Sequence, residues 1–378
     1  MARGEARSGG SAAPRGVDVA RLAGVSQKTV SRVFNGEQYV STEARQRVLH
    51  AAEELGYRLN NAARALASGR TRSIGVVALG TALYGPASLL IGIERAARDA
   101  GYALRVVNTL EGDPGGVAGA VESLLEQGVD GIVVSEPIDE GDGGAASLGV
   151  DVPVLVLGAP AALAGPRAVA TGVGSESLAR AATEHLLDLG HVTVHHITGP
   201  QRWFAARDRL AGWRAALTAH GRHQPPVLEG DWSAASGYSA GRELAAGGEV
   251  TAVFAANDDM AIGLMRALTE AGLRVPEDVS VVGFDDIPVA AYVTPPLTTV
   301  RQPFDAVAQE GLRLLVQAIE KPDVELPPAN DPPVDLIVRS STAPPPPTEA
   351  QGRGRRAASR SLGGAHAPPV TDAPSPRP

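Results

Sequence analysis

The stretch VDVARLAGVSQKTVSRVFN, residues 17–35, contains two short helical patterns separated by a glycine. Apolar and small residues recur every three or four positions on both sides of Gly24, as they do on the buried face of a helix. Gly24 allows a sharp turn between the patterns, and Ser26 is a favourable N-cap for the second one. Val30 and Val33 then face inward, so the stretch predicts two short helices packed against each other.

The second predicted helix leaves polar side chains on its outer face, namely Gln27, Lys28, Ser31 and Arg32. Ser41 is placed to cap a third helix over 42–55 that closes the small core. Two short helices around a glycine turn form a helix-turn-helix, whose second helix fits the major groove of DNA. A plain helical hairpin is the alternative, and the outward polar row argues against it. We therefore predict an all-α DNA-binding domain over 16–59, with double-stranded operator DNA as its partner.

Two kinds of DNA contact are expected from this helix. Lys28 suits the O6 and N7 acceptors of guanine, and Gln27 suits the edge of adenine, so both are predicted to read bases. Thr29, Ser31 and Asn35 are predicted to position the helix through phosphates. The predicted interface on the helix consists of Ser26, Gln27, Lys28, Thr29, Ser31, Arg32 and Asn35.

The composition limits the class of protein. The chain has 378 residues, of which 44% are hydrophobic, and this predicts two or three domains with cores of their own. The absence of cysteine excludes disulfides, thiolate metal sites and a cysteine nucleophile. Residues 1–16 lack the apolar block of a signal peptide, and the uncharged run 74–93 is interrupted by glycine and proline. We expect a cytoplasmic, nucleoid-associated protein that does not span a membrane.

Charge is distributed unevenly along the chain. Residues 1–72 hold 12 Lys and Arg against 6 Asp and Glu, whereas residues 73–340 hold 17 against 34. A basic head on an acidic body is typical of a nucleic-acid-binding head. A modest excess of arginine also occurs on ordinary solvated surfaces, so the charge supports the helix-turn-helix prediction without deciding it.

Three segments carry a resemblance to a known family: GVSQKTVSRVFNG (24–36), VSTEARQRVLHAAEELGY (40–57) and NAARALASGRTRSIGVV (61–77). Later motifs extend it: RLAGW, EGDWSAASGY, ANDDMAIG, SVVGFDD and PPLTTVRQ. Together they resemble the LacI/GalR family of transcription regulators. The resemblance reaches to about residue 340 and leaves out only the two ends of the chain.

The resemblance implies a role for residues 60–72 as hinge helix and linker. In the family the matching segment becomes helical on the operator, in a dimer, and its leucine, which matches Leu66, enters the minor groove. Small side chains such as Ala63 keep two hinges slim enough to lie side by side. A mere linker is the alternative for this segment. The resemblance implies DNA contacts by Arg32, Tyr57, Asn60, Ala63 and Leu66.

From residue 73 onward, short apolar runs rich in β-branched residues alternate with helical patterns. This alternation predicts parallel sheets covered on both faces, and two such series predict two Rossmann-like lobes of the α/β class. The resemblance implies the type I periplasmic-binding-protein fold, with a ligand between the lobes. We place the first lobe at about 73–157 and 301–325, and the second at about 158–300 and 326–342.

Polar side chains near the ends of the predicted strands are candidates for ligand binding, because ligands of open α/β lobes lie beyond the carboxyl ends of the strands. Asp139, Asn257 and Asp285 follow three of the strands. Arg209 lies on the helix after ITGP, and Trp232 lies in the EGDWS loop. Carboxylates, amides and a guanidinium bind vicinal hydroxyls, and an indole stacks on a pyranose face. Any one of them equally fits a capped loop or a surface charge, but the set predicts a sugar or polyol effector.

The resemblance implies that these five side chains contact sugar. It also implies a cleft wall formed by Leu83, Pro86, Gln302 and Phe304. Two positions depart from the family, because Leu79 replaces a polar residue and Val156 replaces an aromatic one. Galactoside specificity is therefore not carried over.

The sequence does not favour other chemistry. His191, His195 and His196 resemble a metal cluster, but neighbouring residues of a strand point to opposite faces. The carboxylates of GFDDIP are not accompanied by a nucleophile motif or an acid/base pair. We expect no metal, no cofactor and no enzymatic activity.

The two ends of the chain are predicted to be disordered. Residues 1–15 and 343–378 are rich in Pro, Ala, Gly, Arg and Ser and poor in large apolar residues. The leucine heptads that pair two dimers within the family have no counterpart in this tail. We therefore predict a homodimer.

These observations predict a DNA-binding transcription regulator. We interpret it as a repressor of carbohydrate-utilisation genes that leaves its operator when a sugar or galactoside-like effector binds between the lobes. A ligand that acts as corepressor is an alternative within the family. The alternative from another class is a sugar-binding protein without DNA function, and the complete helix-turn-helix argues against it.

Overall fold

The computed structural model describes residues 14–34, 39–57, 69–109, 113, 115–135, 138–139, 150–158, 168–171, 174–248, 250–324, 333 and 335–347. The chain divides into two compact units, residues 1–72 and 73–378. Each unit has its own core. The predicted N-terminal extension up to residue 13, most of the predicted hinge (58–68) and the predicted tail from residue 348 lie outside the described residues.

The described part of the first unit contains three helices, α1 (Gly16–Ala23), α2 (Gln27–Phe34) and α3 (Thr42–Leu55). Gly24 ends α1 with a φ of 64°, in the left-handed region that glycine adopts without a steric cost. The hydroxyl of Ser26 accepts a hydrogen bond from the N–H of Thr29 at 3.1 Å and so caps α2. Ser41 caps α3 in the same way through the N–H of Ala44 at 3.3 Å. The predicted helix-turn-helix and its third helix are confirmed.

A small aliphatic core holds these helices together. Its buried members are Val19, Ala20, Ala23, Val30, Val33, Val48, Ala51 and Ala52. The ring of Phe34 packs on that of Tyr57 with 5.6 Å between centroids. The Arg45 guanidinium donates a hydrogen bond to the carbonyl of Val33 at 3.3 Å, near the end of α2 where carbonyls lack helical partners. The apolar face of α2 and this hydrogen bond hold α2 against α1 and α3.

The second unit begins with a five-stranded sheet, which we call sheet 1. Its strands are β1 (Ser73–Leu79), β2 (Ala103–Thr109), β3 (Gly131–Ser135), β4 (Val154–Leu157) and β5 (Ala168–Thr171), in the order β2-β1-β3-β4-β5. Every pairing is parallel. The central strands β1, β3 and β4 are buried along their whole length, as expected for a parallel sheet covered on both faces. The helices of this part of the chain are α4 (Tyr84–Asp99) and α5 (Gly116–Glu126).

Sheet 2 has six strands and forms the second lobe. They are β6 (His195–Thr198), β7 (Leu228–Glu229), β8 (Ala252–Ala255), β9 (Ser280–Asp285), β10 (Thr298–Arg301) and β11 (Asp335–Ile337), in the order β11-β10-β9-β8-β6-β7. Only β11 runs antiparallel to its neighbour within this sheet as described. The helices here are α6 (Ser175–Asp188), α7 (Phe204–Ala219), α8 (Ala234–Gly247) and α9 (Asp258–Glu270), with a 3₁₀ turn at Pro288–Ala291.

After β10 the chain returns to the first lobe as α10 (Phe304–Glu320), whose buried face packs into the same apolar cluster as sheet 1. It then adds β11 to sheet 2. The predicted two-lobed α/β architecture is confirmed, but one predicted boundary is wrong. Because β5 pairs with β4, the first lobe extends to about residue 171 instead of ending at 157. This strand is only four residues long and lies in an Ala-, Gly- and Pro-rich segment, which concealed it in the sequence.

Residues 341–343 are bound to the second lobe. The N–H of Val281 donates to the carbonyl of Ser341 at 2.8 Å, and the Ser341 hydroxyl donates to the carbonyl of Val281 at 2.6 Å. The hydroxyl of Ser280 donates to the carbonyl of Ala343 at 2.9 Å. The predicted start of a disordered tail at residue 343 is therefore wrong. Hydrogen bonds of the backbone and of two serine hydroxyls hold this segment at the start of β9, and amino-acid composition does not reveal such contacts.

Candidate functional site

A cleft lies beside the carboxyl ends of strands from both lobes. It has about 380 Å³ of space, solvent included, and is lined by Leu83, Tyr84, Gly85, Pro86, Trp203, Ala205, Arg209, Trp232, Asn257, Asp285 and Gln302. Seven of the nine predicted effector residues are among them: Leu83, Pro86, Arg209, Trp232, Asn257, Asp285 and Gln302. They converge because the carboxyl ends of parallel strands share one edge of a sheet. Small-molecule sites commonly have this placement.

An ion pair lies in this cleft. Arg209 Nη2 is 3.7 Å from Asp285 Oδ1, and the two side chains are only 6% and 9% exposed. Gln302 Nε2 donates a hydrogen bond to the same carboxylate oxygen at 2.6 Å. Burial raises the pKa of Asp285 to about 6, although the Arg209 charge and the Gln302 hydrogen bond act in the opposite direction. The carboxylate is thus ionised at neutral pH and becomes protonated in mild acid.

The guanidinium of Arg209 is fixed by three further contacts. Its Nη1 donates a hydrogen bond to the carbonyl of Ala256. Its Cζ lies 4.0 Å from the centre of the Phe284 ring and 5.3 Å from that of Trp232. Contacts of a guanidinium with aromatic faces are favourable and hold it in one orientation. Arg209 is therefore a rigid element of the cleft.

Trp232 is held in place by its backbone and by its neighbours. Its φ is 72°, in a region that residues with a side chain seldom adopt. Asn257 Nδ2 donates to the carbonyl of Trp232 at 2.9 Å, while Asn257 Oδ1 accepts the N–H of Met260 at 2.9 Å and caps α9. Gly199 makes room for the indole, because a Cβ at this position would lie 2.2 Å from it. The indole is thus fixed as one wall of the cleft.

Three buried polar atoms of the lining have no hydrogen-bond partner in the described part of the chain: Arg209 Nε, Trp232 Nε1 and Gln302 Oε1. Buried polar atoms are normally satisfied, so each exception requires an explanation, such as a ligand. The two nitrogens are donors and the oxygen is an acceptor. A ligand that both donates and accepts, as neighbouring hydroxyl groups do, satisfies such a set.

The turn after β9 is strained. Asp285 has a φ of 113° and Asp286 one of 53°. Behind the turn, the carboxylate of Asp258 accepts hydrogen bonds from the Thr299 hydroxyl at 2.6 Å and from the N–H of Ile287 at 2.8 Å. Burial, together with the charge of Asp285, raises the pKa of Asp258 well above its usual range. Backbone strain of this kind persists where surrounding contacts determine the conformation, commonly at functional sites.

Two predicted effector residues lie outside this lining. Asp139 Oδ2 is 2.9 Å from Arg207 Nη2, and the Asp139 N–H donates to the carbonyl of Arg202 at 2.7 Å. Asp139 is therefore engaged with the second lobe, because an arginine of α7 pairs with its carboxylate. Phe304 lies behind the wall, with its ring edge-on to that of Tyr84 at 6.2 Å between centroids.

Four lining residues are absent from the predicted set, namely Tyr84, Gly85, Trp203 and Ala205. Trp203 lies T-shaped against Trp232, with 6.1 Å between ring centroids and an interplanar angle of 82°. The loop GPQRW follows β6, just as EGDWS follows β7, so an aromatic residue after a strand end was the available signal.

The predicted DNA-reading side chains lie at the start of α2. Gln27 and Lys28 are exposed in its first turn, and Ser31 is exposed one turn later. The Thr29 hydroxyl lies 2.9 Å from that of Ser26, so both belong to the cap of the helix. The N-terminus of a helix carries the positive end of its dipole. This end of α2 therefore presents exposed polar side chains together with a favourable potential for phosphate.

The other predicted DNA contacts are placed differently. Arg32 is half-buried on α2. Tyr57 is half-buried as well, and its ring packs on Phe34 at the edge of the core. The remaining predicted contacts lie outside the described residues: Asn35, Asn60, Ala63 and Leu66.

Two family profiles match parts of this chain. The profile of bacterial regulatory proteins of the lacI family matches residues 17–60, which contain α2, α3 and all of α1 except its first residue. The profile of periplasmic binding protein-like domains matches residues 183–342. The lactose operon repressor of Escherichia coli (strain K12) is 37% identical over 332 residues, which are 87% of this chain and 90% of that repressor. The chain belongs to the LacI family.

Solved structures of LacI-family proteins share the fold of this one. The Lac repressor dimer bound to operator and the anti-inducer ONPF is 36% identical, covers 86% of this chain and 98% of its own, and has a TM-score of 0.74. The complex of the transcriptional regulator CelR with cellobiose is 32% identical, covers 87% of this chain and 99% of its own, and has a TM-score of 0.63. The predicted family and fold class are confirmed.

This LacI-family chain is a DNA-binding transcription regulator and not an enzyme, as predicted. Within the described ranges, no helix is long and apolar enough to cross a membrane. Nor do the described His, Asp and Glu side chains form a group of three that could hold a metal ion. His196, for example, is stacked against Phe254 at 4.7 Å between ring centroids, inside the second lobe.

Proposed function

We propose that this LacI-family regulator is a homodimeric repressor whose operator affinity falls when a neutral sugar or polyol binds between its lobes. The observation that carries the proposal is the buried Arg209–Asp285–Gln302 arrangement beside Trp232. Two hydrogen-bond donors and one acceptor in this arrangement lack partners among the described residues, and they lie beside the aromatic wall. Charged or amide groups that bind hydroxyls, next to an indole that stacks on a ring, are the chemistry of sugar recognition.

The relatives support this proposal from two sides. The solved Lac repressor is a dimer on its operator, and CelR was solved with cellobiose. Their folds cover most of this chain. The simplest proposal is therefore that this chain also binds both operator DNA and a sugar. The regulator then acts on the bacterial chromosome, in the cytoplasm. The effector changes operator affinity only if it binds one arrangement of the lobes better than the other.

The proposed DNA contacts are those of α2. Gln27 and Lys28 read bases, and Ser26, Thr29 and Ser31 contact the backbone. The proposed effector contacts are Leu83, Pro86, Arg209, Trp232, Asn257, Asp285 and Gln302, which share one cleft. Asp139 and Phe304 support this cleft from outside its lining.

The experiment measures operator binding by fluorescence anisotropy with and without lactose, cellobiose, galactose, glucose and ribose. The operator is first selected from random DNA with the protein itself. We expect at least one sugar to weaken binding to the operator. Arg209→Ala should bind the operator as the parent does and fail to respond, because losing a buried hydrogen bond to a charged group costs about 2 kcal/mol of sugar affinity.

Arg214→Ala is the matched control, since it removes an exposed arginine from the same helix outside the lining. We expect this variant to keep sugar binding. A sugar that strengthens operator binding would identify a corepressor and overturn the release mechanism. An Arg209→Ala protein that responds as the parent does would show that the effector binds elsewhere.

A further inference from the structure

Trp203 contacts both lobes at once. Its own chain position is in the second lobe, between β6 and α7. The end of its indole packs directly on Gly80 of the first lobe, where a Cβ would lie 2.6 Å from Cη2 of the indole. Its backbone also forms an isolated antiparallel bridge with Ile138 of the first lobe. The residue therefore belongs to the seam between the lobes as well as to the cleft.

The neighbours of Trp203 extend this seam. The N–H of Asp139 donates to the carbonyl of Arg202 at 2.7 Å, and the carboxylate of Asp139 pairs with Arg207 at 2.9 Å. We call these contacts and the packing of Trp203 on Gly80 the interlobe seam. Its polar members are accessible to water, since the Asp139 and Arg207 side chains are 39% and 43% exposed. Exposed ion pairs contribute little to stability, so the buried indole is the strongest contact of the seam.

On its other side Trp203 meets the wall of the effector cleft. Its ring lies T-shaped to that of Trp232 at 6.1 Å between centroids, a geometry that is favourable for aromatic pairs. Trp203 itself is only 8% exposed. It therefore touches the indole proposed to stack on the effector and, at its far end, the first lobe. The glycine at position 80 is required for this contact, because any side chain would displace the indole.

We propose that Trp203 is the positioning residue that couples the occupant of the cleft to the interlobe seam. The proposal rests on the proposed function for the identity of the occupant as a sugar. Contacts that span two lobes are the ones that change when the lobes move, and only such differences let a ligand shift the population of conformations. An effector ring that stacks on Trp232 limits the positions that the Trp203 indole can take. The position of Trp203 in turn decides whether its contacts with Gly80 and Ile138 are kept or lost.

Two measurements on Trp203→Phe distinguish this coupling role from a purely structural role. The phenyl ring keeps an aromatic contact with Trp232 but is too short to reach Gly80 as the indole does. Trp213→Phe is the matched control, because Trp213 lies in the interior of the second lobe and its Nε1 donates to the carbonyl of Val194 at 2.9 Å. Circular dichroism and thermal unfolding first establish that both variants are folded.

The first measurement uses the protein without ligand. Hydrogen exchange detected by mass spectrometry follows the amide of Asp139, whose bond to Arg202 crosses the seam. We expect about fivefold faster exchange there in Trp203→Phe and parental exchange in Trp213→Phe, because local opening governs exchange. Parental exchange in Trp203→Phe would refute the bridging role, whatever the effector proves to be.

The second measurement uses the sugar of the panel to which the parent responds. The ratio of operator affinities with and without saturating sugar measures the coupling. We expect this ratio to fall about fivefold in Trp203→Phe, while operator affinity without sugar stays within about threefold of the parent. A loss of sugar affinity with an unchanged ratio at saturation would make Trp203 a plain wall of the cleft and overturn the proposal. If the parent responds to none of the sugars, the proposed function fails, and the exchange measurement still decides whether Trp203 holds the seam.

Discussion

Effector affinity should fall in mild acid because of Asp285. This carboxyl is buried, its pKa is raised to about 6, and its hydrogen-bond partners in the protein are donors that favour the ionised form. A sugar hydroxyl that donates to the carboxylate also favours the ionised form. The effector therefore binds the deprotonated protein better, and protonation of Asp285 competes with binding.

The size of the effect follows from that pKa. At about pH 8 nearly all of the protein carries the carboxylate, whereas at about pH 5, one unit below the pKa, only about a tenth does. If only the ionised form binds, the dissociation constant of the sugar rises about tenfold between these two values, which is about 1.4 kcal/mol. Affinity is unchanged well above the pKa, begins to fall near pH 6, and drops about tenfold for each further pH unit below it.

The assay is isothermal titration calorimetry with the sugar that releases the parent protein from its operator, at several values from about pH 5 to about pH 8. Asp285→Asn provides the control, because an amide does not titrate. We expect it to bind more weakly at every pH and to show no slope. His196 does not contribute to the pH dependence, since burial lowers its pKa to about 4, below the pH range of the titration.

A slope that persists in Asp285→Asn would refute the reasoning, because another group would then titrate on binding. Tighter binding in acid would refute it as well, since it would show that the effector prefers the protonated carboxyl. Near-UV circular dichroism at each pH verifies that the fold is intact throughout.

Two further outcomes are expected. Lys28→Ala should cost about 1–3 kcal/mol on the selected operator and relax the preference at one base pair in an anisotropy titration; equal losses on operator and random DNA would mean that Lys28 contacts only phosphate. Sedimentation at micromolar concentration should report a dimer both for the full chain and after deletion of residues 348–378, because no leucine heptads follow the second lobe; a tetramer that survives this deletion would reveal an interface that we have not recognised.

The sequence predicted the three helices of the first unit because their signals are local. Gly24, Ser26 and Ser41 act on residues within one turn of themselves, and the periodicity of Val30 and Val33 needs no knowledge of the rest of the chain. The predicted third helix, 42–55, agrees with α3 to the residue. Signals of this kind do not depend on how the lobes fold.

The cleft was predictable to the extent that topology decides it. A parallel sheet gathers the ends of its strands at one edge, so Asn257 and Asp285 were expected together and lie together. The sequence did not predict contacts between residues that are distant along the chain. Asp139 is paired by Arg207, and the indole of Trp203 packs on Gly80 of the first lobe. Neither contact has a local signature in the sequence.

In the second unit, residues with a strained backbone and buried polar atoms without partners are concentrated at the cleft. Of the four non-glycine residues with positive φ in the described chain, Trp232, Asp285 and Asp286 belong to the cleft or to its turn. Three of the six buried polar atoms without a partner among the described residues line the same cleft. A buried ion pair has to overcome a desolvation cost that often exceeds its attraction. Stability alone does not account for such a concentration of costs in one place. A ligand that satisfies the unpartnered atoms and favours the ionised Asp285 recovers part of this cost on binding, and the same free energy is then available to change how the lobes are arranged.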